Sequence, residues 1–164
     1  MRVPLRYILP LVFLLAGCSH WISTQSRAAA DQSISFSQLR ENPDAYRGKY
    51  VLLGGTVATA EQDGEGTRLE VVEHRLDSRE LPDRAVPSQG RFLATTAWRL
   101  DPVTYKSGTL VSMMGEVAGS RTRLLEGMEY TYPVISVREI HAIELPEIHP
   151  EYDYGNRHHF LHPW

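Results

Sequence analysis

The chain has 164 residues, with 17 basic and 20 acidic side chains, 7 histidines and a single cysteine. One cysteine excludes an internal disulfide, so the fold has to be held by its core. The acidic balance excludes the basic footprint of a nucleic-acid-binding protein.

The N-terminus reads as an export signal. Arg2 and Arg6 precede an apolar run from Ile8 to Leu15, interrupted by Pro10, and no acidic residue occurs before Cys18. A charged start, a short apolar core and small residues before a cut site define a secretory signal. The run is far short of the roughly 20 residues that span a bilayer as a helix. Leu15, Ala16 and Gly17 resemble a lipobox, which places the cut before Cys18 and diacylglycerol on its thiol. Removing residues 1–17 leaves 147 residues (164 less 17), enough for one domain with a real core. Arg2 and Arg6 leave with it, so 15 basic side chains face 20 acidic ones, a mature charge of −5 with neutral histidines. Such a surface offers anionic lipid little, and acyl chains must hold the membrane. Ser19 follows the cysteine in place of the Asp that commonly retains lipoproteins at the inner membrane, which points to the outer membrane.

Residues 18–34 are small and polar, without sustained periodicity, and read as a lipidated N-terminus and tether. Within them, Trp21 and Ile22 are expected at the membrane interface near the anchor. The stretch from Ser35 to Tyr46 reads as a short helix capped by Ser37 and ended by Pro43, with Phe36 and Leu39 supplying an apolar patch. It is suited to plugging one end of a barrel.

From Tyr50 the chain reads as β. Val51–Ala58 forms a strand with Gly54-Gly55 inside it, a sign of a bend or bulge at a barrel corner. Gln62–Gly66 is a hairpin turn, and Thr67–Glu73 is the return strand with Leu69 and Val71 facing the core. His74–Gln89 is a long loop. Arg91–Thr95, Thr109–Gly119 and Tyr130–Leu145 complete five strands, and Asp101–Gly108 is a turn. Gly48–Val57 and Gly108–Val117 share a pattern of glycine, apolar positions and Gly-x-Val. Two equivalent curved strands suit a five-stranded barrel of the OB type, because closing a small barrel needs glycine at its bends. The fold class expected is therefore mostly β: a small OB-like barrel over residues 35–145 with one short helix. An irregular histidine-rich tail follows at 146–164.

Several blocks occur in a characteristic order: Gly54-Gly55-Thr56-Val57, Leu69-Glu70-Val71-Val72, Arg75-Leu76-Asp77-Ser78, Ser88-Gln89-Gly90-Arg91-Phe92, Leu100-Asp101-Pro102-Val103-Thr104-Tyr105, Gly115-Glu116-Val117-Ala118-Gly119 and Tyr130-Thr131-Tyr132-Pro133-Val134. Together they resemble the Slp family of starvation-inducible outer-membrane lipoproteins over roughly residues 35–145. Ser-x-Gly-Arg-Phe and Asp-Pro-x-x-Tyr are the most specific parts. The tail from His149 to Trp164 falls outside the resembling blocks. The resemblance implies outer-membrane attachment and a β-rich domain, and it implies no known reaction.

No Gly-rich phosphate loop, His-Glu-x-x-His or Gly-x-Ser-x-Gly occurs in the sequence. Asp77, Asp83 and Asp101, near Arg75, Arg79, Arg84 and Arg91, are expected to brace loops or form surface ion pairs. Phe92, Trp98, Tyr130 and Tyr132 could form a stacking platform but are expected in the core or at a protein contact. His158, His159 and His162, with His149 and His141 upstream, could bind a divalent metal weakly through neutral imidazoles. The functional expectation is a non-enzymatic envelope lipoprotein, anchored by lipid on Cys18, with no catalytic residues and no cofactor besides that lipid. Its partners would be the membrane and an envelope protein, not nucleic acid. The alternative is a metal-binding lipoprotein that uses the tail.

Overall fold

The computed structural model describes residues 21–144. Five strands close into a barrel in the order β1-β2-β3-β5-β4: β1 (Tyr50–Asp63), β2 (Gly66–Glu73), β3 (Arg91–Thr96), β4 (Leu110–Leu125) and β5 (Met128–Ile143). All neighbours are antiparallel except β3 and β5, which pair in parallel through Leu93–Val134, Ala94–Ile135 and Thr95–Ser136. Closure abolishes the exposed sheet edges that an open five-stranded sheet would leave.

Alternation along the strands fills the interior. Leu69 and Val71 on β2 are buried, while Arg68, Glu70 and Val72 between and beside them are only half-buried. They join Val51, Leu53 and Val57 of β1, Phe92 and Ala94 of β3, Val111, Met113 and Val117 of β4, and Ile135 and Val137 of β5 in one core. Two short helices and a 3-10 turn complete the described fold: α1 (Thr24–Ala29), α2 (Phe36–Glu41) and the turn Pro43–Tyr46. Helix α2 sends Phe36 and Leu39 into the barrel core, and Phe36 meets Phe92 with ring centroids 6.0 Å apart. It is the expected plug.

Its cap differs from the expectation. Ser35, not Ser37, is the N-cap: its hydroxyl accepts the Gln38 N–H, and the Gln38 side chain accepts from the Ser35 N–H. Ser-x-x-Gln satisfies two orphan donors at once, which a cap at Ser37 would not do.

The glycine pair marks the barrel corner. Gly55 and Thr56 pair with Glu73 and Val72 of β2 on one side and with Val111 and Leu110 of β4 on the other. A Cβ on Gly55 would run into the Val72 carbonyl, so the close approach of two backbones requires glycine there. The two segments with a shared sequence pattern lie against each other in antiparallel pairing, from Tyr50–Glu116 to Thr56–Leu110. Each end is sealed in the same way. Gly48 donates to the Val117 carbonyl at 2.9 Å, and Gly108 donates to the Val57 carbonyl at 2.8 Å. Both glycines sit at positive φ, +77° and +91°.

A second departure lies N-terminal to the barrel. Residues 21–34, within the segment expected to be a tether, fold onto its outside. Ser23 caps α1, Ile22 is 1 % exposed, and the Asp31 N–H donates to the Tyr50 carbonyl at 2.8 Å. The helix is only six residues long. Isolated helices of that length are unstable in water, so its stability comes from the barrel, and no periodicity could reveal it.

Candidate functional site

Residues 23–31 form a strap across the barrel wall, beginning at the residue after Ile22. The Ser23 N–H donates to Glu139 Oε1 at 2.9 Å, and the Ser23 hydroxyl donates to Glu139 Oε2 at 2.7 Å. The Ser26 hydroxyl donates to the same Oε2. His141 Nε2 lies 3.0 Å from Oε1. Burial pushes the Glu139 carboxyl up, but the Ser26, His141 and Ser23 hydrogen bonds to its charged form outweigh that and hold its pKa at about 2. At the other end of α1, Arg27 Nε meets Glu80 Oε1 at 2.8 Å. Glu80 is buried in the β2–β3 loop, with φ at +60° and its backbone carbonyl accepting from Ser112 Oγ. The N-terminal segment is thus fixed to β5 and to the long loop by charge-assisted hydrogen bonds, which are the stronger kind.

A cleft of about 400 Å³ lies where the α1–α2 linker meets β1 and the start of the long loop. Ile34, Phe36, Leu52 and Leu76 line it, together with Glu73 and His74. These two titratable neighbours are driven in opposite directions. Burial raises the Glu73 carboxyl above its usual range, against the Gln89 N–H that donates to Oε2 at 3.0 Å. Burial lowers the His74 imidazole, aided by Arg84 and opposed by Asp83. His74 Nε2 lies 3.0 Å from Thr56 Oγ1, and Nδ1 is buried without a partner among the described residues. Burial thus shifts both groups in the direction of their neutral forms. The one hydroxyl that either group meets is that of Thr56, which is half-buried in the barrel wall on β1.

The motifs that carried the family resemblance turn out to close the fold. In Ser-x-Gly-Arg-Phe, the Ser88 hydroxyl accepts the Gly90 N–H at 3.1 Å. Gly90 adopts a φ of +148° beside the Tyr130 hydroxyl, where a Cβ would meet that oxygen at 2.5 Å. The Arg91 N–H donates to the same hydroxyl at 2.8 Å, the Arg91 guanidinium pairs with Glu70 at 2.7 Å, and Phe92 enters the core. In Asp-Pro-x-x-Tyr, Asp101 accepts from the Val103 N–H and the Thr104 hydroxyl, and the Tyr105 N–H donates to the Asp101 carbonyl. Asp77 accepts the Arg79 and Leu81 N–H groups, and Asp83 accepts that of Ala85. All three aspartates brace loops, as expected.

The four aromatic residues do not assemble into a platform. Phe92 and Tyr132 are buried, Tyr130 packs edge-on against Tyr132 at 4.6 Å, and Trp98 stands apart at 43 % exposure. Leu15, Ala16, Gly17, Cys18, His149, His158, His159 and His162 lie outside the described residues. His141 is occupied with Glu139, and among the described residues no group of three or more His, Cys, Asp or Glu side chains could hold a metal ion. Among the described residues no helix is long and apolar enough to cross a membrane. Ser23, Ser26, Arg27, Glu73, His74, Glu80 and Glu139 escaped sequence reasoning. Only the Ser23–Ser26 capping spacing offered a local hint of the strap, and nothing local joins it to Glu139.

Fold and site together define a small closed β-barrel module whose polar groups tie down loops and whose N-terminal segment is strapped to its wall. The chain belongs to the outer membrane lipoprotein Slp family, which it matches over residues 15–164. That match takes in the Cys18 segment and the tail, and so extends the resemblance beyond residues 35–145 at both ends. The chain is 30 % identical over 153 residues to the outer membrane protein Slp of Escherichia coli K12, covering 90 % of this chain and 81 % of the relative. It is 33 % identical over 124 residues to the uncharacterized lipoprotein YeaY of the same organism, covering 76 % of this chain and 64 % of the relative. Among solved structures, a small single-stranded DNA-binding protein from Streptomyces coelicolor aligns with 57 % of this chain and 93 % of its own, at 19 % identity and a TM-score of 0.36. A likeness that distant carries no functional argument.

Proposed function

We propose that this protein is a non-enzymatic outer-membrane lipoprotein, cut after Gly17, lipidated on Cys18, and presenting its barrel as an interaction module to a protein of the envelope. The observation that carries the reading is the use of the family's most specific motifs. Ser88–Phe92 and Asp101–Tyr105 supply turn hydrogen bonds, an ion pair and core packing. Residues that a whole family shared for catalysis would instead converge on an accessible cleft. Lipidation accounts for the only cysteine in the chain, at the position after Leu15-Ala16-Gly17. Two or more acyl chains give the stable attachment that a single chain does not.

Replacing Cys18 with Ser tests the anchor. The expected result is uncut precursor, or protein lost from the membrane fraction. A Cys18→Ser protein of mature mass that stays with the outer membrane would refute it. Crosslinking in intact envelopes tests the module. The expected result is a defined protein adduct that disappears on competition with the soluble barrel.

A further inference from the structure

We propose that the barrel does not hang from its lipid on a loose leash but sits on the bilayer by the face around Trp21, with the Trp21 indole in the headgroup layer. This rests on the reading of Cys18 as the lipid-bearing residue.

Chain length limits how far the barrel can stand from its lipid. If residues 18–34 were a free tether, their end-to-end distance would average about 23 Å and the barrel could sample many orientations. They are not free. Ile22 is 1 % exposed, and Ser23, Ser26, Arg27 and Asp31 are bonded in turn to Glu139, Glu80 and Tyr50. However the chain runs between Cys18 and Ile22, it spans at most about 14 Å, and to Trp21 at most about 11 Å. The headgroup layer on each side of a bilayer is itself about 5–8 Å thick. A glycerol-linked cysteine sits at that layer, so the strap brings the wall of the barrel to it.

The side chains at this point suit that position. Ile22, expected at the membrane, is instead turned into the protein, where it fixes the strap. Trp21 beside it is 41 % exposed. Tryptophan has an apolar body and an N–H, and it concentrates at membrane–water interfaces. The occupant of this face is therefore a zwitterionic lipid surface, met by an indole and held by acyl chains, with no basic patch required.

The protein carries its own control. Trp98 is as exposed as Trp21, at 43 %, but belongs to the opposite end of β1. Leu100 accepts a hydrogen bond from Gln62, whereas the strap lies level with Leu52, which pairs with Met114 and through it with Glu139. From Leu52 to Gln62 the strand covers about 33 Å of its contour.

The test uses mature, lipidated, full-length protein in phosphatidylcholine vesicles whose acyl chains are brominated near the headgroup. One variant keeps Trp21 alone (Trp98→Phe with Trp164→Phe), and the other keeps Trp98 alone (Trp21→Phe with Trp164→Phe). Mass spectrometry establishes the lipid on Cys18 in both. The expected result is a blue shift and about twofold quenching of Trp21, with Trp98 nearly unchanged. Unquenched Trp21 on lipidated protein, or equal quenching of both residues, would overturn the seating. An unmodified Cys18 would instead remove the anchor reading on which it stands.

Discussion

Ser26 and Glu139 are 113 residues apart in the chain, and their side chains are joined by a hydrogen bond that fixes α1 to β5. Glu139 accepts from Ser23 as well and faces His141 on its own strand. Hydrogen bonds to a charged group contribute roughly 1.5–3 kcal/mol. Replacing Glu139 with Ala should release the strap while sparing the barrel. Hydrogen–deuterium exchange should rise over residues 22–30 and stay unchanged in β2 and β3. Exchange that rises uniformly would show that the strap is part of the global unfolding unit.

The same carboxylate sets an acid limit. Its folded pKa of about 2 lies below the ordinary 4.5. A depressed carboxylate contributes stability that is present above the ordinary value and is lost as pH falls toward the folded one. Docking of α1 should therefore hold at neutral pH and weaken between about pH 4.5 and pH 2. Glu139→Gln should abolish that dependence, and exchange over residues 22–30 measured across the range is the check.

Glu73 has the opposite sign. Burial raises its carboxyl, so its ionised form is disfavoured in the folded state and costs stability at pH 7. Gln at this position keeps an oxygen to accept the Gln89 N–H and carries no charge. Glu73→Gln should be more stable than the parent in urea at pH 7, and the two should converge below about pH 4, where the unfolded carboxyl is protonated too. A variant less stable at pH 7 would show that the charge is needed.

Gly55 and Gly48 separate close packing from backbone strain. A Cβ on Gly55 meets the Val72 backbone, while one on Gly48 meets nothing among the described residues and has only the φ of +77° against it. Gly48→Ala should cost about 1 kcal/mol and leave a cooperative melt. Gly55→Ala should prevent β1 and β2 from closing the barrel corner, seen as loss of the cooperative transition in circular dichroism. Equal melts for the two variants would contradict the corner assignment.

Leu39 supports the plug. It is fully buried in the barrel core from α2. Leu39→Ala should cost about 2–5 kcal/mol, the range for a large-to-small change in a core that cannot collapse. Denaturant unfolding measures it. A loss below about 1 kcal/mol would show that α2 is not part of the cooperative unit.

Much of this protein was determined by the sequence alone. Alternation at Leu69 and Val71, turn residues around Asp63-Gly64-Glu65-Gly66 and the glycine pair at 54–55 act between neighbours in the chain, and they defined a small five-stranded barrel. Asp77, Asp83 and Asp101 were legible as braces because an aspartate finds backbone N–H partners two residues on. Other features depended on groups brought together from far along the chain, and only the tertiary structure could decide them. Helix α1 is too short to declare itself by periodicity and is stable only against β5. The neutral bias of Glu73 and His74 comes from burial, which is a property of everything packed around them. The strap had the polar composition of a linker, and the same serines that suggested a flexible tether are the donors that fasten it to Glu139.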